Sequence, residues 1–230
     1  MKTLGIIGGM GPLATIDLYK KITDLTPAKC DQDHIHIIID SYPQIEDRTK
    51  FIVDNEKSPL EKLKKSAILL EKAGADALIM PCNTAHYFAK DIIETVSIPL
   101  IHIVDSAVNS IKSNYPKAKN IALFATTGTK KGRIYENILI DNGYNVVNFN
   151  QDFDKKIMAC IYDGVKAGKI EEYIPLFNEC EKEAENLKAD IIIAACTEIP
   201  LLIPYSRGNI AFIDATYELA KSAVKFALGK

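Results

Sequence analysis

The chain lacks a long apolar run, an excess of one charge sign, a paired-cysteine motif and a phosphate-loop pattern, and each absence removes a class of function. Its first apolar stretch, Leu4 to Ile7, is far too short for a membrane span, and "MKTLGIIGG" lacks the longer apolar region of a secretory signal. These features predict a cytoplasmic protein with no membrane partner. With 28 basic and 30 acidic residues the net charge is −2, which gives no sign of the basic face that nucleic acid would require. A small-molecule ligand is the default. Five cysteines (Cys30, Cys82, Cys160, Cys180 and Cys196) are odd in number and show no C-x-x-C spacing, which argues against a disulfide framework or a zinc ribbon. Free thiols are expected, as core filler or as chemistry.

What is present is a rhythm. At 230 residues the chain can form one large α/β domain or two compact ones. Short apolar runs alternate with helical patterns: "LGIIGG" then 12–26, "IHIIID" then 58–74, "DALIM" then 83–95, and "PLIHIV" then 105–115. The pattern then restarts with "NIALFA", a helix near 130–142, "NVVNF", two helical stretches in 152–187, "DIIIAA", "IAFI" and a last helix from Asp214. This is the signature of parallel sheets covered by helices. The loop 41–57 shows no counterpart of the extra helix in the second half.

Self-comparison supports a duplication. "LGIIGGMGP" aligns with "IALFATTGT" at an offset of 117, "LYKKI" with "IYENI" at 116, "ADALIMPC" with "ADIIIAAC" at 114, and "IHIVDSA" with "NIAFIDA" at 109. In the last pair Asp105 and Asp214 read as helix N-caps. Four segments in one order predict an α/β fold of two pseudo-symmetric lobes, each a parallel sheet flanked by helices, and if the lobes face each other the active site is expected in the cleft between them. Residues 1–103 with 214–230 form the expected first lobe, and 104–213 the second.

Cys82 and Cys196 hold matching places in this repeat. Each follows an apolar strand at its carboxyl end, the edge where open α/β sheets carry ligands, and each precedes hydroxyl or amide residues at an expected helix start. Unpaired N–H groups there would favour a thiolate, whose ordinary thiol ionises near pH ~8.5. Two thiols on opposite faces of one carbon suit proton removal from one side and return on the other, which inverts the centre and runs equally well backwards. Asn83, Thr84 and Thr197 are the nearby donors for the developing negative charge. Cys30, Cys160 and Cys180 read as core filler.

The turn Gly8 to Pro12, with Met10 and Gly11, offers further backbone donors, and Thr127 in "FATTGT" stands at the matching turn of the second half. Gly9 to Ala14 also fits G-x-G-x-x-A, with Asp40 ending the second strand, so a dinucleotide fingerprint is a rival reading. It leaves the duplicated cysteines unexplained. Arg48, in the long loop, could hold a substrate carboxylate through its bidentate fork, or simply pair with Glu46 or Asp47 in solvent. Lys166 could make a second carboxylate contact or merely end a helix. His86, one turn beyond Cys82, could orient a neighbour or merely cap the helix surface; the plainer reading is preferred for it and for Glu198 beside Cys196.

"GIIGGMGP", "EDRT", "MPCNTAH" and "ACTEIPLL", in this order along nearly the whole chain, resemble the aspartate racemase branch of the aspartate/glutamate racemase family. Glutamate racemases share the CNTA and CT elements, but their usual opening and their C-T-H-Y-P motif differ from "GGMGP" and "CTEIP". The resemblance implies a two-base amino-acid racemase with Cys82 and Cys196 as the acid/base pair. It further implies that Asn83, Thr84 and Thr197 contact the α-groups of the amino acid and that Arg48 and Lys166 bind carboxylates. By the same resemblance no metal or cofactor would be needed, the substrate would be a small acidic amino acid, and a homodimer would be expected. Ala195 stands where the family more often has Gly, which bears on substrate choice. Aspartate is the expected substrate, with glutamate next and a racemase of broader or different amino-acid specificity as the alternative. A cleft-type binding protein and a redox sensor linking Cys82 to Cys196 are the rival functions.

Overall fold

A computed structural model describes residues 1–229. They divide into two compact units, Met1–Ser106 with Thr216–Lys230, and Ala107–Ala215.

The first unit begins β1 (Leu4–Gly8), α1 (Pro12–Leu25), β2 (Ile37–Ser41), α2 (Arg48–Asp54), α3 (Leu60–Lys72), β3 (Ala77–Ile79) and α4 (Ala89–Ile93). Its sheet has the order β2-β1-β3, all parallel. Every side chain of β1 is buried, as expected of a strand covered on both faces. Pro12 opens α1 at the position where a missing N–H costs nothing. Ile7, Met10, Ile45, Leu63, Leu78, Cys82 and Phe88 belong to one buried apolar cluster.

After α5 (Ile103–Asn114), the second unit carries β4 (Asn120–Ala125), α6 (Thr127–Lys131), α7 (Glu136–Asp141), β5 (Asn145–Val146), α8 (Gln151–Ala159), α9 (Ile170–Asn186), β6 (Ile191–Ala195) and β7 (Ala211–Asp214). The helix α10 (Ala215–Ala227) closes the chain. The order is β5-β4-β6-β7, again parallel throughout. At the heart of this core, Phe124 meets Phe153, Phe177 and Phe212 edge to face.

The duplication is visible in the hydrogen bonds. Leu4 is registered with Ala77, and Ile121 with Ile191, partners related by the sequence offsets of 117 and 114. Asp76 Oδ2 accepts the Thr3 N–H at 2.6 Å, and Asp190 Oδ2 accepts the Asn120 N–H at 2.8 Å, under the same two offsets. In each repeat an aspartate ahead of one strand ties down the start of its neighbour.

Three local expectations are corrected. "PLIHIV" is no strand: Leu100 makes a single bridge to Leu78, and α5 already starts at Ile103, so Asp105 lies inside the helix rather than capping it. The three-residue β3 offers little edge to pair with, and Pro99 has no N–H to give. The 41–57 segment contains the helix α2, because the Asp47 carboxylate accepts the Lys50 N–H as an N-cap and Asn55 ends the helix at φ 57°. Cys30 is exposed rather than core filler, whereas Cys160 and Cys180 are buried.

Candidate active site

In the first unit the chain leaves β3 through Met80 and Pro81 and reaches Cys82, which is only 7% exposed. Asn83 and Thr84 beside it are also buried. Thr84–Phe88 forms a 3-10 turn rather than the expected α-helix start, so the helix-end field acting on Cys82 is small. His86 is the surprise. Its Nδ1 lies 2.9 Å from the Cys82 carbonyl oxygen and its Nε2 is 3.3 Å from the Ile103 N–H. A carbonyl only accepts, so Nδ1 carries the proton and Nε2 receives the Ile103 N–H, which fixes one neutral tautomer. Burial, reinforced by His102 packed edge to face at 4.6 Å, holds the ring well below the ordinary histidine pKa. The surface role read from the sequence does not hold.

Met10 packs in the same buried cluster as Cys82. The glycines of the 8–12 turn differ in purpose. Gly9 has φ +88°, and a Cβ there would lie 2.4 Å from the Tyr42 backbone, so packing alone demands glycine. A Cβ at Gly11 would meet nothing, which leaves open space on that side of the turn. The Gly9 N–H is already taken by Thr15 Oγ1 at 2.9 Å, so the turn offers fewer donors than its sequence promised.

Arg48 is the first residue of α2. Its Nη1 donates to the carbonyls of Glu46 at 2.9 Å and Ile45 at 3.3 Å. The carboxylates expected to compete for it are engaged elsewhere: Glu46 is 2.9 Å from both Lys57 and Lys62, and Asp47 caps α2. Hydrogen bonds from Lys62 and Lys57 hold the Glu46 carboxyl down at about 2.

In the second unit Cys196 directly follows β6 and is 8% exposed. The turn after it is again a short 3-10 segment, Ile199–Leu201. Glu198, set aside in the sequence, organises this site. Its Oε2 accepts from Cys196 Sγ and from Thr197 Oγ1, each at 3.0 Å, and its Oε1 lies 2.8 Å from Lys166 Nζ. Lys166 ends a π-helical turn, Cys160–Lys166, that continues α8. Thr127, at the start of α6, donates its N–H to Met158 Sδ at 3.4 Å.

The electrostatics follow from this geometry. Burial, then the Glu198 charge and the hydrogen bond to it, push the Cys196 thiol well above its ordinary pKa, and Lys166 only partly offsets them. The expected help toward a thiolate is therefore outweighed at this position. Burial alone would raise the Glu198 carboxyl, but Lys166, Cys196 and Thr197 together bring it below the usual carboxylate value. Burial also works against the Lys166 ammonium, and Glu198 more than compensates. A thiol donor, a carboxylate and an ammonium thus stand in line. The one signal in the sequence was an acidic residue placed directly after Cys-Thr.

Residues 7–223 match the Asp/Glu/hydantoin racemase family. The chain belongs to that family. Its members are cofactor-independent racemases, and the fold agrees with theirs: the chain superposes on the aspartate racemase of Picrophilus torridus with a TM-score of 0.86 at 32% identity, covering 99% of this chain and 94% of that one. An aspartate racemase homologue from Pyrococcus horikoshii shares the fold at a TM-score of 0.80 and 24% identity, over 99% of this chain and 100% of the other. In sequence, the chain is 31% identical to the broad specificity amino-acid racemase RacX of Bacillus subtilis, over 96% of each chain. Among the described residues of this family member, no helix is long and apolar enough to cross a membrane, and no cluster of three His, Cys, Asp or Glu could hold a metal ion.

Proposed function

We propose that this chain racemises amino acids by two-base proton transfer, with Cys82 and Cys196 as the acid/base pair and aspartate as the preferred substrate. The observation that carries the reading is the repeated placement of a buried thiol immediately beyond the carboxyl end of a parallel strand, once in each unit. One sulfur, as thiolate, takes the α-proton; the other, as thiol, delivers a proton to the opposite face of the same carbon. Each step forms one S–H or C–H bond and breaks the other kind, so no external oxidant or reductant enters. Asn83, Thr84 and Thr197, with the backbone at Met10 and Gly11 and the hydroxyl of Thr127, supply donors for the substrate's α-carboxylate and for the charge that develops on it.

Arg48 and Lys166 are the proposed carboxylate partners. An ammonium has three N–H donors, so Lys166 can keep Glu198 while donating to a substrate oxygen. A broader substrate range is the second reading, because Lys166 already has a carboxylate partner in Glu198 and the Bacillus subtilis relative is named for broad specificity. Glutamate is the nearest alternative substrate. A cytoplasmic homodimer is part of the proposal: Leu13, Ile16 and Tyr19 lie exposed along one face of α1, and Ile39 is exposed on the edge strand β2.

The test is incubation of the purified protein, without added cofactor, with L- and D-aspartate in D2O. The α-proton should exchange and optical rotation should decay to zero. A panel of glutamate, alanine, lysine and arginine separates the narrow from the broad range. No exchange with any of them sinks the racemase reading.

A further inference from the structure

Glu198 contacts both the thiol and the hydroxyl of the Cys196-Thr197 pair through one oxygen, and Lys166 through the other, while only 14% of its side chain is exposed. We propose that Glu198 is a positioning residue that reserves Cys196 as the proton-donating member of the pair in the free enzyme, with Lys166 as the counter-ion that keeps Glu198 charged. This rests on the two-base reading above.

The reasoning is electrostatic. A carboxylate 3.0 Å from sulfur accepts the S–H bond of a thiol but repels a thiolate in a site with little water. Beyond Glu198, the charged groups that act on Cys196 and on its neighbours include Lys166 with Tyr162 beside it, and Tyr135 at the head of α7 with Asp214 at the end of β7 acting on it. Tyr135 is fully buried and its hydroxyl is held neutral, by burial first and then by Asp214 and Cys196. Among these groups Lys166 is the cation. It faces Glu198 directly at 2.8 Å, so its charge is spent first on the carboxylate.

The consequence is a biased resting enzyme. In one turnover Cys82 gains the α-proton, with its C–H bond broken and the electron pair left on carbon. Cys196 then loses its proton to that carbon, and the negative charge ends on the Cys196 sulfur. That product form sets thiolate against carboxylate, so a solvent proton returns Cys196 to the thiol while Cys82 releases the proton it gained to solvent, which restores the starting form. The free enzyme consequently favours the enantiomer whose α-proton faces Cys82. A racemisation equilibrium constant of one forces kcat/KM to be equal in the two directions, so the bias must appear as unequal kcat values with KM unequal by the same factor.

The experiment reads the thiol directly. In the full chain carrying Cys82→Ser, the rate of iodoacetamide labelling at Cys196, resolved by peptide mass spectrometry, is followed against pH. Adding Glu198→Gln should move the Cys196 profile down by about one pH unit or more, and adding Lys166→Met should move it up. With both cysteines intact, Glu198→Gln should also bring the two kcat values closer together. A labelling profile unmoved by Glu198→Gln overturns the proposal. Should that variant fail to fold, as judged by circular dichroism, Lys166→Met decides, and an unmoved profile there is equally fatal. Labelling needs no turnover, so shifted profiles in a protein without α-proton exchange would reject the racemase reading while leaving the Glu198 contact's effect on Cys196 established.

Discussion

His86 clasps the carbonyl of Cys82 at 2.9 Å with one ring nitrogen and receives the Ile103 N–H at 3.3 Å with the other, joining the loop of the first thiol to the start of α5. The imidazole is 4% exposed and cannot be replaced by water without leaving a gap. His86→Ala removes two buried hydrogen bonds and creates a cavity, and should cost about 2–4 kcal/mol in denaturant unfolding. It should also lower kcat, because the backbone bearing Cys82 loses its anchor. Unchanged unfolding would show that the clasp contributes nothing.

The same ring makes stability pH-dependent. An unfolded histidine titrates near ~6.5, and the folded His86 titrates well below that, with His102 lowered in the same direction by its own burial. Above the unfolded value both states are neutral and the contribution is full. As pH falls below it, the unfolded chain binds protons that the folded chain refuses, and stability declines until the folded value is passed. The slope should approach ~1.4 kcal/mol per pH unit from His86, and His102 adds to it in the same direction. Urea unfolding between pH 7 and pH 5 measures it, and His86→Ala should flatten the curve.

Cys82→Ser and Cys196→Ser, made singly, should each reduce racemisation by about 10²- to 10⁴-fold, the usual contribution of a general acid or base. Serine is far less acidic than cysteine, so the loss of α-proton exchange should be greatest for the enantiomer whose proton the replaced group removes, while kcat/KM for racemisation stays equal in the two directions. The D2O assay started from each enantiomer separates the two faces. Equal, near-complete activity in both variants would remove the thiols from the mechanism.

Arg48→Ala should weaken kcat/KM for aspartate by about 10- to 100-fold through loss of a charge-assisted contact, and should affect alanine far less. The guanidinium also donates to the carbonyls of Ile45 and Glu46, so some loss of loop order is expected for every substrate. The ratio between aspartate and alanine is therefore the informative quantity. A ratio that stays constant refutes side-chain carboxylate binding.

Gly9→Ala should destabilise the fold by more than ~1 kcal/mol, since the positive φ alone carries a cost of that order. The added methyl would also run into the Tyr42 and Pro43 backbone. Gly11→Ala meets no neighbour, so its effect on stability should be small. Any loss it causes should fall on substrate KM. Thermal unfolding of the two variants, beside their kinetics, distinguishes a glycine needed for packing from one that leaves room.

Much of the fold was legible because parallel strands buried on both faces appear as apolar runs, and duplication repeats them in order. Leu4 to Gly8, Asn120 to Ala125 and Ile191 to Ala195 are examples. The fourth run of the first half misled for a physical reason: "PLIHIV" is apolar enough for a strand, yet it makes one bridge, at Leu100 through hydrogen bonds of Pro99 and Ile101 to Leu78, before helix formation takes over at Ile103. The Asp47 cap was present in "EDRTK", but the surrounding polar residues made the segment look irregular.

From the sequence alone came the parallel architecture, the twofold repetition and the two cysteines at equivalent strand ends, because these depend on local hydrophobic pattern and on order along the chain. Only the tertiary structure decided what surrounds each thiol. Glu198 had to fold back onto Cys196, Lys166 had to arrive from a distant π-helical turn, and His86 had to turn inward to the Cys82 carbonyl. Proton affinity is set by burial and by charges a few ångströms away, and neighbours at that range are chosen by how the chain packs rather than by what lies beside them in sequence.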